Sequence, residues 1–164
     1  MNQAVRIFTL LLLWLGGFTP ALSGDYQHPQ VKRMIDSGKA PDGVVFELIS
    51  WDEKTWTWAA PMLKDLRRQL QSRFADIDVV VVSHGGEQFQ LTREREQEQP
   101  EAIAELASLS EEGVSVHVCG THSSWQDVDE SAYLDFVDVS PSGPAQINDY
   151  IKLGYEHILL SKPD

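Results

Sequence analysis

Cysteine is almost absent from this sequence, and basic side chains are scarce. A single thiol, Cys119, stands among 164 residues, so no internal disulfide can form and the fold must hold by packing alone. The same count excludes a disulfide scaffold, a zinc ribbon and a c-type haem attachment, all of which need more than one cysteine. Lysine and arginine number 13 against 25 aspartates and glutamates, a net charge of -12. A surface this acidic repels phosphate backbones and anionic headgroups, which argues against a nucleic-acid partner. At 42% hydrophobic and 23% charged, the composition is nevertheless that of a folded chain and not a disordered one.

Long hydrophobic runs are missing too, apart from one near the start. Arg6 is followed by Ile7-Phe-Thr-Leu-Leu-Leu-Leu-Trp-Leu15, then Gly16, Gly17, Pro20 and Ala21-Leu-Ser23. A charged start, a short apolar stretch and a small-residue end describe a secretory signal peptide over residues 1–23. The stretch is shorter than the roughly 20 residues of a membrane span, which disfavours an uncleaved anchor. No cysteine follows it, so a lipoprotein is excluded. The expectation is cleavage near Ser23, export to the periplasm, and no membrane attachment afterwards.

Residues 24–42 form an arm with a short apolar patch at Val31 and Met34-Ile35, room for a turn of helix. From 43 to 164 a β-branched run, a turn and a helical stretch recur. The strand candidates are Val44–Ile49, Ile77–Val82, Val114–Cys119, Phe136–Ser140 and Tyr155–Leu160. The unbroken valines of the second predict burial on both faces, as in a parallel sheet. Met62, Leu63, Leu66, Leu70 and Phe74 recur at helical spacing through Pro61–Arg73, with Pro61 expected in the first turn. Pro100 opens a second helix that Gly113 closes, and Ser142-Gly-Pro144 opens another that Gly154 closes. Ser124 with Asp127 resembles a capping box that would start a short helix there. Such alternation predicts an α/β fold, an open and mostly parallel five-stranded sheet with helices on both faces.

In such sheets function gathers beyond the carboxyl ends of the strands. Two loops qualify: Ser83-His84-Gly85-Gly86, and Cys119-Gly120-Thr121-His122. Cys119 sits where a strand gives way to a helix start, where peptide N–H groups favour a thiolate. The contrary reading is an inert buried cysteine, a common fate of a free thiol. His122 and His84 are the candidate proton carriers, since a neutral imidazole can take the thiol proton. Backbone N–H groups at Gly120, Thr121 and Gly85 could hold an anion. A competing constellation is H-x-C-x-x-H, in which His117, Cys119 and His122, joined by His84, would suit zinc or copper. Trp51, Trp56 and Trp58 read as core or interface anchors before a ligand pocket. His84-Gly-Gly86 has neither the Walker nor the dinucleotide spacing, and no cofactor is expected.

His84-Gly-Gly86 after a valine-rich strand, Gly113-Val-x-Val-x-Val-Cys119-Gly120 and Val139-Ser-Pro-Ser-Gly143 fall in order, and a last helix runs into Gly154-Tyr155 before the final strand. In these the chain resembles the DsrE/DsrF-like family of small sulfur-relay proteins, from about Gly43 to Leu160. The resemblance implies a flavodoxin-like fold, a homo-oligomer (trimer or hexamer), and sulfane sulfur carried as a persulfide on Cys119. It implies sulfur donor and acceptor partners, proteins or small thiols. A chain with one cysteine cannot resolve its own persulfide.

Overall fold

The computed structural model describes residues 26–163, so the leader read at 1–23 lies outside the described residues. The strands are Gly43–Leu48 (β1), Asp78–Ser83 (β2), Ser115–Cys119 (β3), Val137–Ser140 (β4) and Tyr155–Leu160 (β5). They pair in the order β4-β3-β2-β1-β5, and every pairing is parallel. The helices are Pro29–Ser37 (α1), Thr55–Arg73 (α2), Pro100–Glu111 (α3), Gly120–Trp125 (α4) and Gly143–Lys152 (α5). This is the expected flavodoxin-like α/β arrangement. Among the described residues no helix is long and apolar enough to cross a membrane.

The valine run of β2 shows why the sheet needs cover on both sides. Alternate side chains point to opposite faces. Val79 and Val81 join the larger core with residues of α1, α2 and α3, whereas Val80 and Val82 meet Val45 and Ile147 of α5. Crossover handedness explains the division of helices. The chain steps from β1 to β4 in one direction across the sheet, then returns past β1 to β5. Right-handed connections place the last crossover, α5, on the face opposite α2 and α3.

Two helix starts differ from the sequence expectation. α2 begins at Thr55, more than a turn ahead of Pro61, which therefore lies inside the helix. Trp56, Trp58, Ala59 and Ala60 carry the buried stripe back to that start, and Trp56 Nε1 anchors it by donating to the Glu87 carbonyl at 3.0 Å. Proline removes one helical hydrogen bond, that to the carbonyl of Thr57, and Thr57 is exposed to water. α4 begins at Gly120, directly after Cys119, and not at Ser124. Ser124 Oγ instead donates to the Thr121 carbonyl within that turn. The arm holds a complete helix, α1, capped by the His28 ring at its start and by Gly38 at φ 66° at its end, with Val31 fully buried in the core.

Leu66 lies at the centre of the α2 stripe with no exposed surface. Leu66→Ala is expected to destabilise the fold by about 2–5 kcal/mol, the cost of lost transfer energy plus a residual cavity. Urea unfolding checks this: the midpoint should fall while the slope stays unchanged.

Candidate functional site

The outgoing chains of β3 and β4 part at the carboxyl edge of the sheet. Beyond β3 the chain enters α4, whose Ser123 bonds into the larger core through Tyr133. Beyond β4 it enters α5 on the opposite face. Cys119, the last residue of β3, stands at this divergence, the kind of position where open α/β sheets bind ligands.

Its backbone is held by a side chain that the sequence reading passed over. Gln88 Oε1 accepts from the Cys119 N–H at 3.1 Å, and Gln88 Nε2 donates to the Cys119 carbonyl at 3.2 Å. The amide thus pairs with residue 119 as a peptide of a neighbouring strand would. The same Nε2 reaches Ser123 Oγ at 3.1 Å and the Tyr133 hydroxyl at 3.2 Å, and all of these groups are buried. Burial raises the Tyr133 hydroxyl above its ordinary pKa, which keeps it a neutral donor. Next door, Glu87 is fully buried. Its carboxylate accepts from Ser83 Oγ at 2.7 Å, the Gly85 N–H at 2.9 Å and the Ser50 N–H at 2.6 Å. A Cβ on Gly85 would stand 2.7 Å from the Ser50 nitrogen, so only glycine allows the two loops this approach. Nothing local in the sequence marks Glu87 and Gln88, which follow two glycines and look like polar loop.

The site residues expected from sequence fall into two groups. Cys119 and His84 come together. Continuing the β2–β3 register, in which Ser83 faces Val118, sets His84 beside Cys119 on the same face. Gly143, the first residue of α5, is wedged against both: a Cβ there would stand 2.8 Å from His84 Cβ and 3.3 Å from Cys119 Cβ. His122 turns elsewhere. Its Nδ1 donates to the His84 carbonyl at 3.1 Å, since a carbonyl can only accept. Its ring sits edge-on among Phe89 at 4.9 Å, Trp51 at 5.7 Å and Trp125 at 6.0 Å. Trp56 and Trp58 belong to the core, while Trp51 is 75% exposed over Gly86.

The amides considered for an anion are partly engaged. Thr121 donates to the Pro141 carbonyl through both N–H and Oγ1, at 3.1 and 2.8 Å, and Gly85 donates to Glu87. Gly120 lies against the Ser140 carbonyl, 3.0 Å from where a Cβ would stand. The histidines of the metal alternative have other partners. His117 Nε2 is bonded to the Tyr150 hydroxyl at 3.0 Å and His122 faces the aromatic group. Among the described residues no three His, Cys, Asp or Glu side chains are grouped to hold a metal ion.

His157, which carried no hypothesis from sequence, and Glu47 complete the polar row. Glu47 Oε1 bonds His84 Nε2 at 2.7 Å and its Oε2 bonds His157 Nε2 at 2.6 Å. A carboxylate in a strand otherwise made of buried apolar residues is the sequence signal that could have found this.

Burial lowers the pKa of His117 below its ordinary 6.5, with Asp138 opposing in part, and burial lowers that of His28 as well. For such groups the unfolded chain binds more protons below 6.5, so stability falls as pH falls through this window. Thermal unfolding midpoints should therefore drop from about pH 7.5 to about pH 5.5. The His117 ring protons should titrate below 6.5 in NMR spectra, and titration above that value would contradict the burial argument.

A sequence model described as the DsrE/DsrF-like family matches residues 61–160. No curated protein matches the chain. A solved structure titled as a protein of unknown function, MTH1491, from Methanobacterium thermoautotrophicum is 22% identical. It superposes with a TM-score of 0.59, covering 71% of this chain and 97% of that one, a likeness of fold. With the five-stranded parallel sheet in place and the family match running from α2 to the end of β5, this chain belongs to the DsrE/DsrF-like family.

Proposed function

We propose that the protein carries sulfane sulfur as a persulfide on Cys119 and hands it to a partner thiol. The observation that carries this reading is the placement of the chain's single thiol. Cys119 ends the third strand, its backbone is clamped by Gln88 and its side chain lies beside His84. Membership of a family associated with sulfur relay supports it. In loading, the Cys119 thiolate attacks the outer sulfur of a donor persulfide. The Sγ–S bond forms as the donor S–S bond breaks, and the electron pair leaves on the donor thiolate, which takes up a proton. In unloading, an acceptor thiolate attacks the outer sulfur and Cys119 departs as thiolate, so no external oxidant or reductant is consumed. Cys119 is only 5% exposed, so the acceptor reaches it through a slender group such as a mobile thiol.

Intact-mass spectrometry after incubation with polysulfide tests this. Wild type should gain about 32 Da per added sulfur, reversed by a reductant and absent in Cys119→Ser. A folded, fully reduced protein that gains no mass would refute the carrier role. The single cysteine makes an acceptor obligatory, and relay partners and oligomers of the kind common in the family fit the same reading.

The secretory pattern of residues 1–23 supports a relay that works outside the cytoplasm. Protein recovered from its own host should then begin near Gly24, and an intact mass that retains Met1 or Asn2 would overturn cleavage of the leader.

A further inference from the structure

We propose that Glu47 and His157 fix His84 as the base that deprotonates Cys119. The proposal takes the sulfur-carrier reading for the identity of the substrate, while the proton step applies to any attack by this thiol. Glu47 occupies a central strand whose Val44, Val45, Phe46 and Leu48 have no exposed surface. A carboxylate in such a place is costly unless it is bonded. Both of its oxygens are bonded, and both partners are histidines: His84 Nε2 at 2.7 Å and His157 Nε2 at 2.6 Å. The Glu47 and His84 side chains are 16% and 13% exposed, and His157, on the edge strand β5, is 35% exposed.

The consequence follows from donor and acceptor roles. An ionised carboxylate only accepts, so each histidine presents Nε2–H to Glu47. Neutral His84 then keeps its lone pair on Nδ1. That tautomer is the useful one, because His84 and Cys119 are adjacent on neighbouring strands that run about 4.8 Å apart. Both side chains border one point on α5: a Cβ on Gly143 would lie 3.2 Å from His84 Cγ, the atom bearing Nδ1, and 3.3 Å from Cys119 Cβ. The Sγ–H proton passes to His84 Nδ1, and Sγ keeps the electron pair as thiolate. The imidazolium is held by Glu47, and the proton later goes to the departing donor thiolate. His157 binds the second Glu47 oxygen and stops the carboxylate from rotating away from His84. Glu47 and His157 act as positioning residues, through His84.

The test is the second-order rate of Cys119 alkylation by iodoacetamide at fixed, near-neutral pH. It compares the mature wild type with Glu47→Gln, His84→Gln and the double variant. Each single change should slow alkylation by about tenfold or more, a floor set below the range of about 10²–10⁴ typical of general-base effects. The double variant should be no slower than His84→Gln alone, because groups acting as a unit are not additive. Nitrogen-15 NMR of the wild type should show His84 with a bare Nδ1 and a protonated Nε2, a readout that needs no variant to fold. A protonated Nδ1, a wild-type rate in folded Glu47→Gln, or a double variant slowed by the product of the two single effects overturns the proposal. Sulfur uptake separates the two ideas. Wild type that gains no sulfur but shows the alkylation pattern loses the carrier role and keeps the base. Wild type that loads sulfur with a flat alkylation pattern does the reverse.

Discussion

A carboxylate with no cation beside it among the described residues organises the carboxyl edge of this sheet. Glu87 has no exposed surface, and its oxygens take the hydroxyl of Ser83 at the end of β2 and two backbone N–H groups from the segments that follow β1 and β2. Buried charge is tolerated when such donors replace water. The requirement runs both ways: the loops must converge on the carboxylate, and the carboxylate must remain inside. Convergence of those loops brings the next residue, Gln88, under the end of β3, and also bonds the Glu87 carbonyl to Trp56 at the head of α2. One anchored side chain thereby ties the first helix crossover, the second strand and the cysteine loop together.

Much of the fold was legible because burial on two faces leaves a plain record. The valine run of β2 announced a parallel sheet, and the Leu66–Leu70 stripe announced α2. The same logic misplaced the start of α2, because Pro61 draws the eye as a first-turn residue while the tryptophans before it read as something separate. Packing of Trp56 onto the Glu87 segment settles that start, and this contact between distant residues leaves no local trace. Ser124 misled for a related reason: a capping pattern of two side chains competes poorly with a helix that begins as soon as the strand ends.

The site divides along the same line. Cys119 and His84 could be picked out as candidates because both stand where a strand ends and follow recognisable runs. Glu47 stands out in sequence only as a carboxylate in an apolar strand, and its bonds, like those of Gln88 and His157, run to partners more than thirty residues away. His122 lies the other way. Its nearness to Cys119 in sequence suggested shared chemistry, yet the helical turn of α4 rotates it toward Phe89 and the exposed tryptophans. Proximity along the chain is a poor guide across this junction, because Cys119 ends a strand whereas His122 belongs to the helical turn that follows.

The clamp on residue 119 has a consequence for inheritance. Gln88 grips the main-chain N–H and carbonyl of that residue and takes no hold on its side chain. Architecture and reactivity are therefore separable at this position. A lineage could lose the thiol by a single base change and still inherit the sheet, the converging loops and the packing of Gly143 against them. Descent alone preserves the frame, whereas the sulfur at its centre persists only while selection asks for it.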